Sequence, residues 1–120
     1  MTDQRPVNGQ VGDVVARAGP LSGVLVADFS RVLAGPYATM LLADLGAEVV
    51  KVEGPQGDET RTWMPPVRDA VSTYYLGVNR GKRSMTLDLR DEADAALGRE
   101  LARRADVVIE NFKPGGLAKF

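Results

Sequence analysis

Cysteine and histidine are both absent from the 120-residue chain. Without cysteine there is no disulfide framework, no thiolate nucleophile and no cysteine-held metal. Without histidine the commonest neutral-pH base and metal ligand is missing. No metal site is therefore expected, and acid–base chemistry falls to carboxylates, lysine, tyrosine or water. Aromatic residues make up only 6% of the chain. Neither sign of charge is in excess: 15 Lys+Arg oppose 16 Asp+Glu, a net charge of −1, which offers no global attraction to nucleic acid or to an anionic membrane. Long apolar runs are lacking too. Segments such as Val24–Ala27 fall far short of the roughly 20 residues a spanning helix needs. The opening residues contain no apolar stretch of signal-peptide length. These absences predict a cytoplasmic protein with no nucleic-acid or membrane partner.

What remains is ordinary for a globular chain, with 44% apolar and 26% charged residues, and its length allows one domain at most. Residues 1–20 mix Gln, Asn, Gly, Asp and Pro with few large apolar groups and read as a disordered arm, so the ordered unit is placed at 21–120. From there strands and helices alternate. Val24–Phe29 is apolar at nearly every position, as in a strand covered on both faces. Pro36 fits a helix start and Gly46 a helix end, with Ala38, Leu41, Leu42 and Leu45 as one apolar stripe between them. Glu48–Glu53 is the next strand, completing a βαβ unit. Residues 54–83 show little periodicity. Strands at 84–89 and 107–111 flank a helix at 91–104, capped by Asp91, with Leu97 and Leu101 beside Ala93 and Ala96 on its buried face. The class is α/β: an open, mostly parallel sheet with crossover helices, incomplete at its carboxyl-terminal end.

Each strand turns polar at its carboxyl end, at Asp28, Glu53, Asp88 and Glu110–Asn111. That edge is where parallel sheets collect ligands, and also where any buried strand meets water. Ser30–Pro36 is the first loop there. It leads into a helix amino terminus, suited to an anion, and Arg31 adds a fixed cation. Ordinary helix-start punctuation explains Gly35–Pro36 equally well. No dinucleotide glycine fingerprint or phosphate-binding loop motif is present. Lys82 and Arg83 belong to a cationic turn that reads either as a phosphate patch or as a solvated surface. Lys113 and Lys119 flank Pro114–Gly116 and read either as a flexible cationic clamp or as a frayed end. Trp63, Tyr74 and Tyr75 are placed as loop anchors or stacking groups, and Asp58–Glu59 with Arg61 as a weak local ion pair.

Taken together, the segments PLSGVLVADFSRVLAGPYATMLLADLGAEVVKVE, GDETR, YYLGVNRGKRSMTLDL and ADVVIENFKPGGLAKF resemble the amino-terminal part of the family III coenzyme A transferases, the CaiB/BaiF group. The resemblance covers about residues 20–120. It implies that residues 21–120 are the first, truncated part of a Rossmann-like CoA-binding large domain. It also implies an enzyme that moves CoA between an acyl-CoA and a carboxylic acid, with CoA as substrate and no permanently bound cofactor. A catalytic aspartate attacks the thioester to give a mixed anhydride and then an enzyme–CoA thioester. That aspartate lies beyond Phe120, so the resemblance gives this chain no catalytic residue and implies that the fragment alone is inactive. It implies an interlocked homodimer for a full-length parent. By motif match it assigns CoA contacts to Arg31, Val32, Leu33 and Ala34, to Asn111 and Phe112, to Lys113 or Lys119 at the phosphates, and to Lys82 and Arg83 near the pantetheine and nucleotide. Some members carry His and Gln where Arg31 and Leu33 stand, which argues against oxalate/formate-type activity. Two alternatives share the pattern: an α-methylacyl-CoA racemase-type isomerase and a non-catalytic CoA-binding module.

Overall fold

The structure is a computed structural model that describes residues 18–120; the arm expected over residues 1–20 lies almost wholly outside them. The described elements are β1 (Leu25–Asp28), α1 (Ala34–Asp44), β2 (Glu48–Glu53), β3 (Val67–Arg68), β4 (Val71–Ser72), α2 (Thr73–Val78), β5 (Arg83–Thr86), α3 (Glu92–Arg104) and β6 (Val107–Ile109). Four of the strands form one parallel sheet in the order β5-β2-β1-β6, while β3 and β4 make a separate antiparallel hairpin. The two principal helices cover opposite faces. Val26 and Val49 pack with Ala43 of α1 and with Ala47. Ala27, Val52 and Leu87 pack on the other face with Phe29 and with Leu101 and Ala102 of α3. This alternation along the strands is the period-2 pattern of a sheet buried on both sides.

β2 spans the expected residues, while β1, β5 and β6 are shorter than the runs expected for them. Leu87 makes the last rung from β5, donating its N–H to the Glu53 carbonyl at 2.9 Å. The chain then turns through Asp88–Arg90 to Asp91, which caps α3 by accepting from the N–H groups of Ala93 and Asp94. Helix α1 starts at Ala34, earlier than the Pro36 expected. Proline is tolerated inside this first turn because its N–H would have no intrahelical partner there.

Both helices bury a face offset from the one leucine spacing predicts, with only Leu42 and Leu101 of the expected leucines packed against the core. In α1 the buried residues are Pro36, Thr39, Met40 and Ala43, while Leu41 and Leu45 are 43% and 46% exposed. In α3 the buried residues are Ala95 and Gly98, Leu101 is half-buried, Ala93 and Ala96 are exposed, and Leu97 is 54% exposed. Small side chains let α3 approach the sheet, where a Cβ on Gly98 would already stand 3.2 Å from Leu89, while α1 buries the long Met40 beside Thr39 and Ala43.

The span 54–83 is not structureless. It holds a 3-10 turn at Glu59–Thr62, the β3–β4 hairpin and α2. Asp69 and Ala70, both at positive φ, supply the two-residue primed turn that a twisted hairpin favours.

Candidate functional site

Counting only the four strands of the parallel sheet, the chain order is the third, second, first and fourth, so the direction of winding reverses between β1 and β6. Ligands of open parallel sheets bind in the crevice outside the carboxyl ends at such a reversal. Ser30–Leu33 leaves β1 at this point and Glu110–Phe112 leaves β6. The Arg31 N–H donates to Asn111 Oδ1 at 2.9 Å, and Asn111 Nδ2 donates back to the Arg31 carbonyl at 2.7 Å. The Arg31 guanidinium lies 5.5 Å from the centre of the Phe112 ring, a cation–π contact. Residues 80 positions apart are thus brought together at one edge.

Arg31 and Phe112 line a cleft of about 360 Å³ with Phe29, Glu53, the Gly54–Pro55 corner, Arg90 and Phe120. That volume falls in the range of small-molecule sites. Of the other residues singled out from sequence, Val32, Leu33 and Ala34 continue from Arg31 into α1, with Val32 at φ 71. Lys113 and Lys119 are exposed on a folded turn closed by Gly116 N–H donating to the Lys113 carbonyl at 2.7 Å. The end of the chain is therefore packed rather than frayed: Leu117 lies against the core beneath α3. Arg83 pairs with Glu48 at 2.6 Å, at the amino-terminal rim of the sheet. The Lys82 ammonium is buried and donates to Asp28 Oδ2 at 3.0 Å, and to the Pro36 carbonyl and Asn79 Oδ1 at 2.9 Å each.

One wall of the cleft is a buried charge network that sequence reading did not anticipate, with Lys51, Glu53 and Asp58 in the lining. Asp58 does not form a local pair with Arg61. It faces Lys51 of β2 at 2.9 Å, each side chain 1% exposed, and its other oxygen accepts from the N–H and hydroxyl of Thr60. Arg61 instead forks onto both Glu53 oxygens at 2.8 Å. The Tyr75 hydroxyl donates to Glu53 Oε1 at 2.5 Å, and Ser84 donates to the same oxygen at 2.9 Å. Tyr75 is thus a core anchor, while Trp63 packs on Tyr74 with ring centres 5.0 Å apart. The visible signal was Lys51 itself, a lysine inside an apolar strand, which must find a buried partner.

This network sets the protonation states. Burial alone would raise the Glu53 carboxyl, but hydrogen bonds from Arg61, Tyr75, the Asp58 N–H and Ser84 bring it down to about 2. Burial likewise opposes ionisation of Asp28, yet bonds from Ser30, Thr39 and Lys82 hold it below the ordinary aspartate range. Lys82 is pulled down to about 8 by burial, which the Asp28 charge only partly offsets. Among the described residues no group of carboxylates has the makings of a metal site, and no helix is long and apolar enough to cross a membrane.

Comparison with known proteins agrees with the fold. Residues 21–120 match the model of the family described as CoA-transferase family III. The chain is 51% identical over 115 residues to succinate–glutarate CoA-transferase of Agrobacterium fabrum, covering 90% of this chain and 29% of that protein. It is 54% identical over 100 residues to human succinyl-CoA:glutarate CoA-transferase, covering 82% and 23%. The crystal structure of a CAIB/BAIF family protein from Brucella suis superposes with a TM-score of 0.80 at 51% identity, covering 84% of this chain and 28% of that one. The chain thus spans about a quarter of the length of these relatives. With its sheet order, its first loop and its Glu110–Phe112 turn inside the matched region, this chain belongs to CoA-transferase family III.

Proposed function

We propose that the cleft at the β1/β6 reversal binds a coenzyme A thioester, and that the chain supplies the CoA-binding part of an enzyme transferring CoA from an acyl-CoA to a carboxylic acid. The meeting of Arg31 with Asn111 and Phe112 carries this reading. It sets a flat ring and a guanidinium side by side at the cleft, a pair suited to a purine face and a phosphate. Val32–Ala34 line the path of the thioester arm, and Lys113 and Lys119 meet the phosphates. The nucleophile in this reading is an aspartate beyond Phe120, in a parent that forms a homodimer. Its carboxylate attacks the thioester carbonyl, releasing CoA thiolate. The thiolate then attacks the enzyme's side of the mixed anhydride, giving an enzyme–CoA thioester and freeing the donor acid. Residues 21–120 accordingly bind the substrate but do not turn it over. The names of the Agrobacterium and human relatives make succinyl-CoA with glutarate the first donor and acceptor pair to assay.

Calorimetric titration of the full gene product with CoA tests the site. Arg31→Ala is expected to weaken binding by about 1–3 kcal/mol, the worth of charge-assisted hydrogen bonds. Lys113→Ala and Lys119→Ala are expected to do the same, whereas Arg83→Ala, whose partner is Glu48 at an exposed rim, leaves binding unchanged. Wild-type affinity in Arg31→Ala and in both lysine variants would remove the cleft from consideration.

A further inference from the structure

Ser30 joins β1 to the Arg31–Leu33 turn, and all its polar groups are taken up inside the protein. Its N–H donates to Asp28 Oδ1 at 2.9 Å, and its hydroxyl donates to the same oxygen. Its carbonyl accepts from Lys51 Nζ at 3.0 Å. The second Asp28 oxygen accepts from Thr39 Oγ1 at 2.6 Å and from Lys82 Nζ at 3.0 Å. Asp28, Ser30 and Thr39 are 0% exposed, and the Lys82 side chain is 2% exposed. Lys82 reaches this cluster from a turn 54 residues further along the chain, and it also holds the Pro36 carbonyl in the first turn of α1. It stands outside the cleft lining.

The residue just past this lock and the Asn111 clasp is Val32, whose φ of 71 is a left-handed value that a β-branched side chain rarely adopts. Such a conformation persists only where its surroundings over-determine it. Here the flanks are fixed on both sides. Ser30 and Arg31 are bonded from behind, and the Leu33 carbonyl is held by the Tyr37 N–H at 2.7 Å as α1 begins.

We infer that Lys82 is a positioning residue: through Asp28 and the Pro36 carbonyl it ties Ser30 to the first turn of α1 and keeps Val32 in its left-handed conformation beside the cleft. The inference rests on the reading of that cleft as a CoA thioester site. It gives Lys82 a role there without contact with the ligand. A turn already set in its bound shape need not be ordered on binding, and that saving appears as affinity.

Two variants of the full gene product test it. Lys82→Met removes the ammonium at similar length. Lys82→Met combined with Asp28→Asn removes both charges, so no unpaired carboxylate is left buried and the fold is kept. The Val32 backbone angle is read without ligand, by a crystal structure or backbone NMR, and CoA affinity and thermal midpoint are measured beside it. In the double variant the midpoint is expected within a few degrees of wild type, Val32 out of the left-handed region and Kd raised about tenfold. Val32 unchanged, or a Kd unchanged for the folded protein, would overturn the inference and leave Lys82 a purely structural ion-pair partner. Failure of the wild type to bind CoA would sink the reading of the cleft instead, and the ligand-free Val32 angle would still decide the role of Lys82.

Discussion

Lys51 occupies the middle of a strand whose neighbours are valines, and it is 1% exposed. A buried charge persists there only because Asp58 and the Ser30 carbonyl receive it. Removing one partner leaves the other charge uncompensated. Asp58→Ala is expected to cost about 3–5 kcal/mol in urea denaturation, whereas Lys51→Met with Asp58→Asn recovers most of that loss. A double variant as unstable as Asp58→Ala would show that the pair is not what the fold depends on. At this scale the sequence placed Arg31 and Asn111 just past strand ends, and the structure brings both, with Phe112, to one edge. The sequence was silent on who partners whom. Asp58 and Arg61 stand close enough in sequence to suggest each other, yet each turns to a different residue of β2. Only the course of the loop decides that, and no spacing rule encodes it.

Among the elements, the existence of β1, α1, β2, β5, α3 and β6 was legible from apolar runs and caps, and Glu48–Glu53 matched to the residue. The faces of the helices were not. The widest leucine stripe looks like the buried one, but α3 turns Ala95 and Gly98 to the sheet and α1 turns Pro36, Thr39, Met40 and Ala43. Gly35 shows how tight the packing is. A Cβ there would lie 2.3 Å from both Ser30 Cβ and Oγ, with Ser30 itself wholly buried. Gly77 in α2 is the contrasting case, where an added Cβ would meet nothing within 4 Å. Helix propensity alone favours alanine at each position by up to about 1 kcal/mol. The expected outcome is therefore opposite in sign: Gly77→Ala raises the thermal midpoint, and Gly35→Ala lowers it because the Ser30 lock must open. Equal shifts would show that propensity, not contact, governs both sites. The elements within 54–83 escaped detection because they are two to six residues long, shorter than a helical or strand period can reveal, and because the Asp69–Ala70 turn lacks the glycine that usually marks it.

For the whole molecule, the alternation of strands and helices pointed to the parallel sheet but not to its order. The second crossover carries the chain from β5 at one edge to β6 at the other, and nothing in the residues distinguishes that from pairing β6 with β5. The buried carboxylates give the folded state a common response to acid. The Glu53 pKa falls from an ordinary 4.5 to about 2 on folding. A depressed folded value means that its stabilising contribution is fully present above about pH 4.5 and is lost as the pH falls toward 2. The depression corresponds to about 3 kcal/mol. Asp28 and Asp58 shift in the same direction. Chemical denaturation between pH 2 and pH 6 is therefore expected to show a steep loss of stability on acidification, and Glu53→Gln a lower plateau with a shallower fall. An acid limb identical in the variant would assign the response to other carboxylates.

The pairing of β1 with β6 has a kinetic consequence. Asp28 and Ile109 are register partners although nearly the whole described chain lies between them, whereas β1 and β2 are joined by a single short helix. Closing the longer loop costs more chain entropy and gains contacts only after the rest is in place. The wall of the cleft that carries Asn111 and Phe112 is therefore expected to assemble last. A ligand gripping both sides stabilises only the completed state and not the barrier before it. In stopped-flow refolding of the full gene product, saturating CoA is expected to slow unfolding and leave the refolding rate unaltered; a faster refolding limb would mean that β6 docks early.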